Sequence, residues 1–76
     1  MNKFILCAMD KRKTKEELIE NYDAAYSAAY SAAAYTAAYA SADAAAADAD
    51  SLEYYLSEYF TLTGESREEY QREADK

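Results

Sequence analysis

The chain has no proline, no tryptophan and no histidine, and only one glycine and one cysteine among its 76 residues. With no proline and one glycine, almost nothing in the sequence interrupts a helix. Without histidine there is no side chain whose ordinary pKa lies near neutrality, which removes the commonest agent of acid–base catalysis at pH 7. A single Cys7 forms no internal disulfide, which fits a reducing compartment and argues against a stapled secreted scaffold. Large aliphatic residues are also scarce: leucine and isoleucine occur only as Ile5, Leu6, Leu18, Ile19, Leu52, Leu56 and Leu62. A chain this short buries a modest share of its surface, so the expected core is thin, and self-association or a partner is expected to complete it.

Nine tyrosines stand against these shortages. Each can bury roughly 150–250 Å² and carries a polar hydroxyl at its tip, so tyrosine takes the packing role leucine usually fills.

The formal charge of −7 is unevenly placed. Residues 1–20 are nearly balanced, residues 21–42 contribute only Asp23, and residues 43–76 hold ten acids against Arg67, Arg72 and Lys76. A field of this sign repels nucleic acid and anionic lipid and attracts a basic surface. The N-terminal run Phe4 to Met9 follows Lys3 as in a signal peptide, but it is shorter than the usual apolar region and ends at Asp10-Lys11-Arg12-Lys13. A cytoplasmic protein is the expectation.

Along the chain, Thr14-Lys15-Glu16-Glu17 has capping-box spacing and predicts a helix start. Sixteen of the 26 residues from Ala24 to Ala49 are alanine, so one long Ala/Tyr helix over residues 14–50 is expected. Asp50-Ser51-Leu52-Glu53 offers a second capping box; the chain either turns near 48–51 or continues as one helix through Leu62. Gly64 suits a left-handed helix end, and Ser66-Arg67-Glu68-Glu69 restarts a short helix over 65–76. Residues 3–9 are compatible with a short edge strand against Tyr59–Thr63 or with a first helical turn. The fold class is therefore mainly all-α, a helical hairpin or bundle in a single domain, residues 1–76, with a possible N-terminal strand.

Within the long helix lies a tetrad repeat starting at Tyr22, Tyr26, Tyr30, Tyr35 and Tyr39. A period of four advances roughly 40° per repeat on a helix, and the extra Ala34 throws Tyr35 and Tyr39 to nearly the opposite side from Tyr22, Tyr26 and Tyr30. Between them Ala25, Ala29, Ala33, Ala37, Ala40, Ala44 and Ala47 form a lane of small residues along which a second helix can approach. Tyr22, Tyr26, Ala29, Tyr30, Ala33 and Ala37 are thus the expected self-association surface of a homo-oligomer. Residues 24–42 carry no charge, but Ala, Ser and Tyr supply little insertion energy, and no membrane span is expected. Over residues 22–49 the composition resembles that of alanine-rich helical cassettes, with an aromatic every four or five residues, in small proteins of tailed bacteriophages. The resemblance implies a phage-encoded origin and no particular mechanism.

No motif points to chemistry. One cysteine and no histidine give no zinc set, no calcium loop is present, and one glycine cannot build a phosphate loop. Cys7 has no histidine to activate it and suits a small buried position. No enzyme, no metal and no cofactor are expected. The function expected is an acidic binding protein, an inhibitor of a host defence or nucleic-acid-handling protein that works by covering a basic surface, with DNA mimicry as one form. The acids expected to bind that surface are Asp43, Asp48, Asp50, Glu53, Glu58, Glu65, Glu68, Glu69 and Glu73, and the expected partner is a protein with a basic surface, with no direct binding of nucleic acid. The alternative is an assembly module whose Tyr-Ala helix docks on a larger complex.

Overall fold

Five short polar side chains divide the chain. In the computed structural model, which describes residues 1–76, Asn2, Thr14, Ser31, Asp48 and Ser66 each accept backbone N–H bonds and each opens a helix: α1 Lys3–Met9, α2 Lys15–Ala28, α3 Ala32–Ala45, α4 Ala49–Thr63 and α5 Arg67–Ala74. The class is all-α with no strand.

Residues 3–9 are therefore helical, and the edge-strand alternative falls. The reason lies one residue earlier: Asn2 Oδ1 accepts from the amides of Phe4 (2.9 Å) and Ile5 (3.2 Å), which nucleates a short helix that its apolar side chains then anchor. The reciprocal capping box at Thr14 and Glu17 forms as expected. So does the left-handed stop at Gly64, with φ 72°.

The single long helix over residues 14–50 does not form. It would be about 55 Å long at 1.5 Å per residue, whereas the longest dimension of the folded chain is 29 Å. The chain instead leaves helical geometry at Ala29, passes Tyr30 and restarts at Ser31, whose hydroxyl accepts from Ala34 N. Alanine propensity favours helix everywhere in this stretch, but a straight rod leaves its small-residue lane bare, and folding back lets α2 and α3 cover each other. A second break follows at 46–48. Of the two sequence readings of that region the turn is realised, with Asp48 rather than Asp50 as the cap, accepting from Ser51 N. Ala47 there has φ 57°, and the bonds Asp48 N to Asp43 O and Ala47 N to Ala44 O close a Schellman turn.

The core gathers Ile5, Ala8 and Met9 of α1, Ala37 and Ala40 of α3, Leu56 and Tyr59 of α4, and Tyr70 and Ala74 of α5. Small residues on α3 allow α1 and α4 to pack closely on it. Helix α2 is tied on through Leu18, Ala25 and a polar knot: Asn21 Nδ2 donates to Phe4 O (3.0 Å) and Ser41 Oγ (2.8 Å), and Ser41 Oγ donates to Leu18 O (2.8 Å). No buried side-chain polar atom is left without a partner, so the hydrogen bonds of the knot offset the desolvation of the groups that tie the three helices. No helix is long and apolar enough to cross a membrane.

Candidate functional site

The break at Ala29–Ser31 rearranges the tyrosine repeat. Because α3 doubles back on α2, Tyr35 and Tyr39 arrive beside Tyr26 instead of on the far side of one rod. Their ring centroids lie 5.4 and 6.5 Å from that of Tyr26. Tyr22 meets Tyr26 in a tilted contact at 5.8 Å, Tyr35 meets Tyr39 at 6.5 Å, and Tyr39 meets Tyr55 of α4 at 5.5 Å. Tyr54 closes the series against Tyr55 at 5.1 Å in an edge-to-face contact. Six tyrosines from three helices thus form one continuous ladder, in the offset and tilted geometries that aromatic quadrupoles prefer.

This ladder is not a core. Tyr26 is 46% exposed and Tyr54 62%, with Tyr35, Tyr39 and the neighbouring Ile19 also open to solvent. The tyrosine hydroxyls bonded within the chain are those of Tyr59 and Tyr70, neither of which belongs to the ladder. The six ladder hydroxyls are free to meet something else. Crowding away from water pushes the Tyr39 phenol above its ordinary range, and the surrounding phenols of Tyr26, Tyr22, Tyr35 and Tyr55 add to that shift, so it stays neutral and able to donate.

The residues expected to mediate self-association are dispersed. Tyr22 and Tyr26 are in the ladder, but Tyr30 stands 92% exposed in the α2–α3 link, outside it. Ala29 lies in the same link, Ala33 packs partly buried beside the core, and Ala37 is fully buried within it. The straight alanine lane does not exist once the rod is broken, and its members Ala25, Ala37 and Ala40 are covered by the chain's own helices.

The nine acids assigned to a partner surface divide in the same way. Asp43 accepts from Ser51 Oγ, Asp48 caps α4, Glu53 pairs with Arg67 (3.0 Å from Nη1), and Glu73 pairs with Lys76 (3.0 Å). Glu65 accepts from the hydroxyls of Tyr59 (2.7 Å) and Tyr70. Those two bonds hold the Glu65 carboxyl below its usual range, the larger contribution coming from Tyr70, while burial pushes both phenols up. Asp50, Glu58, Glu68 and Glu69 make no side-chain bond within the chain. No uncommitted double row of carboxylates runs over residues 43–76.

One signal bearing on this surface was present in the sequence and easily missed. Every lysine and arginine lies in residues 3–15 or 67–76, so residues 16–66 contain ten acids and no cation at all. All six ladder tyrosines fall inside that span. Asp23, three residues before Tyr26, and Asp50 and Glu58, four residues either side of Tyr54, share helix faces with ladder tyrosines, and none has a partner. The cations collect at the opposite ends of the chain, where Arg12 bonds Asp10 and the Ala74 carbonyl and ties the α1–α2 link to α5.

No three His, Cys, Asp or Glu side chains stand close enough to hold a metal ion. Cys7 is half-buried, and burial pushes its thiol up, which suppresses the reactive thiolate. Comparison with protein-family models gives no match, and neither the curated proteins nor the solved structures yield one.

Proposed function

We propose that the chain is a non-enzymatic binding module that attaches to another protein through the tyrosine ladder. One observation carries this reading: six aromatic rings, held on three packed helices, contact one another in series, four of them exposed and all six with hydroxyls unbonded within the chain. Contiguous apolar area of this kind on a small protein marks an interaction surface, and tyrosine is among the residues enriched where interfaces concentrate their binding energy. Because the rings sit on helices rather than loops, little conformational freedom is lost on association. Occupying a partner's surface in this way is enough to inhibit it, with no chemistry required.

Imitation of a phosphate row has less support. Five of the nine acids assigned to it serve as helix cap, ion-pair partner or hydroxyl acceptor inside the fold. The aromatic face, not the acidic half as a whole, is the better candidate for the contact surface.

The test is affinity capture from cells that express the protein, comparing wild type with a Tyr26→Ser, Tyr35→Ser, Tyr54→Ser triple variant whose helicity is verified by circular dichroism. A partner retained by wild type and lost by the variant is the expected result. An identical set of captured proteins would place the binding surface elsewhere and remove this reading.

A further inference from the structure

We propose that the tyrosine ladder takes an arginine-bearing cationic segment of its partner; this rests on the binding role above and names the chemistry of the occupant. Helices α2, α3 and α4 supply the whole ladder, and after Lys15 they carry no lysine or arginine, while Asp23, Asp50 and Glu58 stand unpaired on the same helix faces as its rings. A second copy docked face to face would set these carboxylates against their own kind, and like charges brought together across an interface work against association. Nucleic acid offers bases that stack on tyrosine, but its phosphates meet helices that carry acids and, after Lys15, no lysine or arginine. A cationic protein segment satisfies both features at once: aromatic faces for its charge and carboxylates for its donors.

Arginine fits better than lysine. Its planar guanidinium stacks on a tyrosine ring while its edge N–H groups donate to a carboxylate or a phenol oxygen, and it gives up less hydration than an ammonium does. The spacing suits this use. Asp50, Tyr54 and Glu58 lie at successive i, i+4 positions on α4, so a guanidinium over the Tyr54 ring has an acceptor on either side. On α2, Asp23 stands in the same relation to Tyr26 at i, i+3. The chain itself shows a comparable contact, where the Arg67 guanidinium sits 6.0 Å from the Phe60 centroid while bonding Glu53.

The experiment is fluorescence anisotropy at physiological salt with labelled octa-arginine, octa-lysine and oligothymidylate. Octa-arginine is expected to bind about fivefold more tightly than octa-lysine, and oligothymidylate more weakly than either. Replacing Tyr26, Tyr35 and Tyr54 together with leucine keeps the surface apolar but removes the rings; it should weaken octa-arginine about tenfold and erase the preference over lysine. The corresponding phenylalanine variant should retain the preference. A Glu68→Gln, Glu69→Gln, Glu73→Gln variant tests whether bulk charge alone explains binding; it should stay within about twofold of wild type. Equal affinity for the two peptides, a leucine variant that binds like wild type, or a loss confined to the α5 variant overturns the inference. Preferential binding of oligothymidylate, or a wild-type dimer in sedimentation that the leucine variant abolishes, overturns it as well. If the cellular capture depends on the face while octa-arginine shows no preference, the occupant is of another chemistry and only this inference fails. If the capture ignores the face, the binding role itself fails.

Discussion

Two groups of tyrosines in this chain share a side chain and almost nothing else. Tyr59 and Tyr70 lie 2% exposed at the meeting of α1, α4 and α5, and their hydroxyls converge on Glu65, with the Asn2 amide donating to the Tyr70 oxygen at 2.7 Å. The ladder tyrosines on α2, α3 and α4 touch one another instead; Tyr26, Tyr35, Tyr39 and Tyr54 are exposed, Tyr22 and Tyr55 are partly buried, and none of the six hydroxyls is bonded within the chain. The hydroxyls of the first group are satisfied inside the fold, and those of the second are not. The difference separates tyrosines held by the core from those proposed as the contact surface.

The sharpest way to break that comparison is to truncate one member of the buried group. Tyr70→Ala should destabilise the protein by about 3–5 kcal/mol, the range for removing a buried aromatic ring. That is a large part of the total expected for a domain of this size. Urea denaturation followed by circular dichroism measures it, and a loss below about 1 kcal/mol would mean that Tyr70 does not hold α5 to α1.

A smaller effect is expected from the acceptor that the two buried phenols share. The Glu65 carboxyl is held below its ordinary value of 4.5 by the hydroxyls of Tyr70 and Tyr59. A depressed folded-state pKa means that the stabilisation is fully present above the ordinary carboxyl range and is lost as pH falls through the folded value. Glu65→Gln should therefore cost about 1 kcal/mol at pH 7, allowing for solvent screening of an exposed carboxylate, and the gap from wild type should close as pH falls through and below the ordinary carboxyl range. Melting temperatures of both proteins at pH 7 and pH 3 check this. A gap that stays constant would show that the carboxylate charge is not what the phenols recognise.

Much of the helical framework was legible in the sequence because it is written in local rules. Thr14 with Glu17, Gly64 and Ser66 act within a few residues of themselves, and each does what its residue type dictates. The break in the long helix was not legible for the same reason that the helix looked certain. Ser27, Ser31 and Ser41 are equivalent by propensity, and only the packing of α3 back onto α2 selects Ser31 as a cap. The ladder inherits that limit. Its tyrosines were visible as a resource, but the arrangement of Tyr26 against Tyr35 depends on a turn that local rules do not mark. Glu65 reads from sequence as a partner-facing acid because nothing near it announces the two phenols it serves, which reach it only after the chain reverses at Gly64.

The turn that brings α4, and with it Tyr54 and Tyr55, alongside α3 contains the one backbone position where the sequence works against the fold. Ala47 occupies the left-handed slot of its Schellman turn at φ 57°, where Gly64 occupies the corresponding slot after α4 at φ 72°. An L-residue in that region loses roughly 1–2 kcal/mol, and glycine avoids the loss while giving up part of it in unfolded-chain entropy. Ala47→Gly should therefore stabilise the protein by about 0.5–1 kcal/mol. Gly64→Ala should destabilise it by a similar amount through backbone strain alone, since a Cβ there meets no atom within 4 Å. Thermal denaturation of both variants tests the pair, and a stabilising Gly64→Ala would contradict the assignment.

The smallest effect is expected where the comparison places function rather than structure, at Tyr54. Its ring is 62% exposed, its hydroxyl is unbonded, and its one aromatic contact is edge-on to Tyr55 at 5.1 Å. Tyr54 is also absent from the core cluster, in which α4 is represented by Leu56 and Tyr59 with Leu52, Tyr55 and Phe60 packed against it. Serine and tyrosine have similar helix propensities, so Tyr54→Ser alters the helix itself little. What remains is one exposed aromatic pair, and surface changes of this kind usually fall within about 0.5 kcal/mol. Stability should accordingly stay within that range while binding to a cationic partner weakens. Chemical denaturation would decide the first half of that statement. A loss above about 1.5 kcal/mol would show that the ladder is a second core, held together for the sake of the fold, and the distinction between the two groups of tyrosines would not stand.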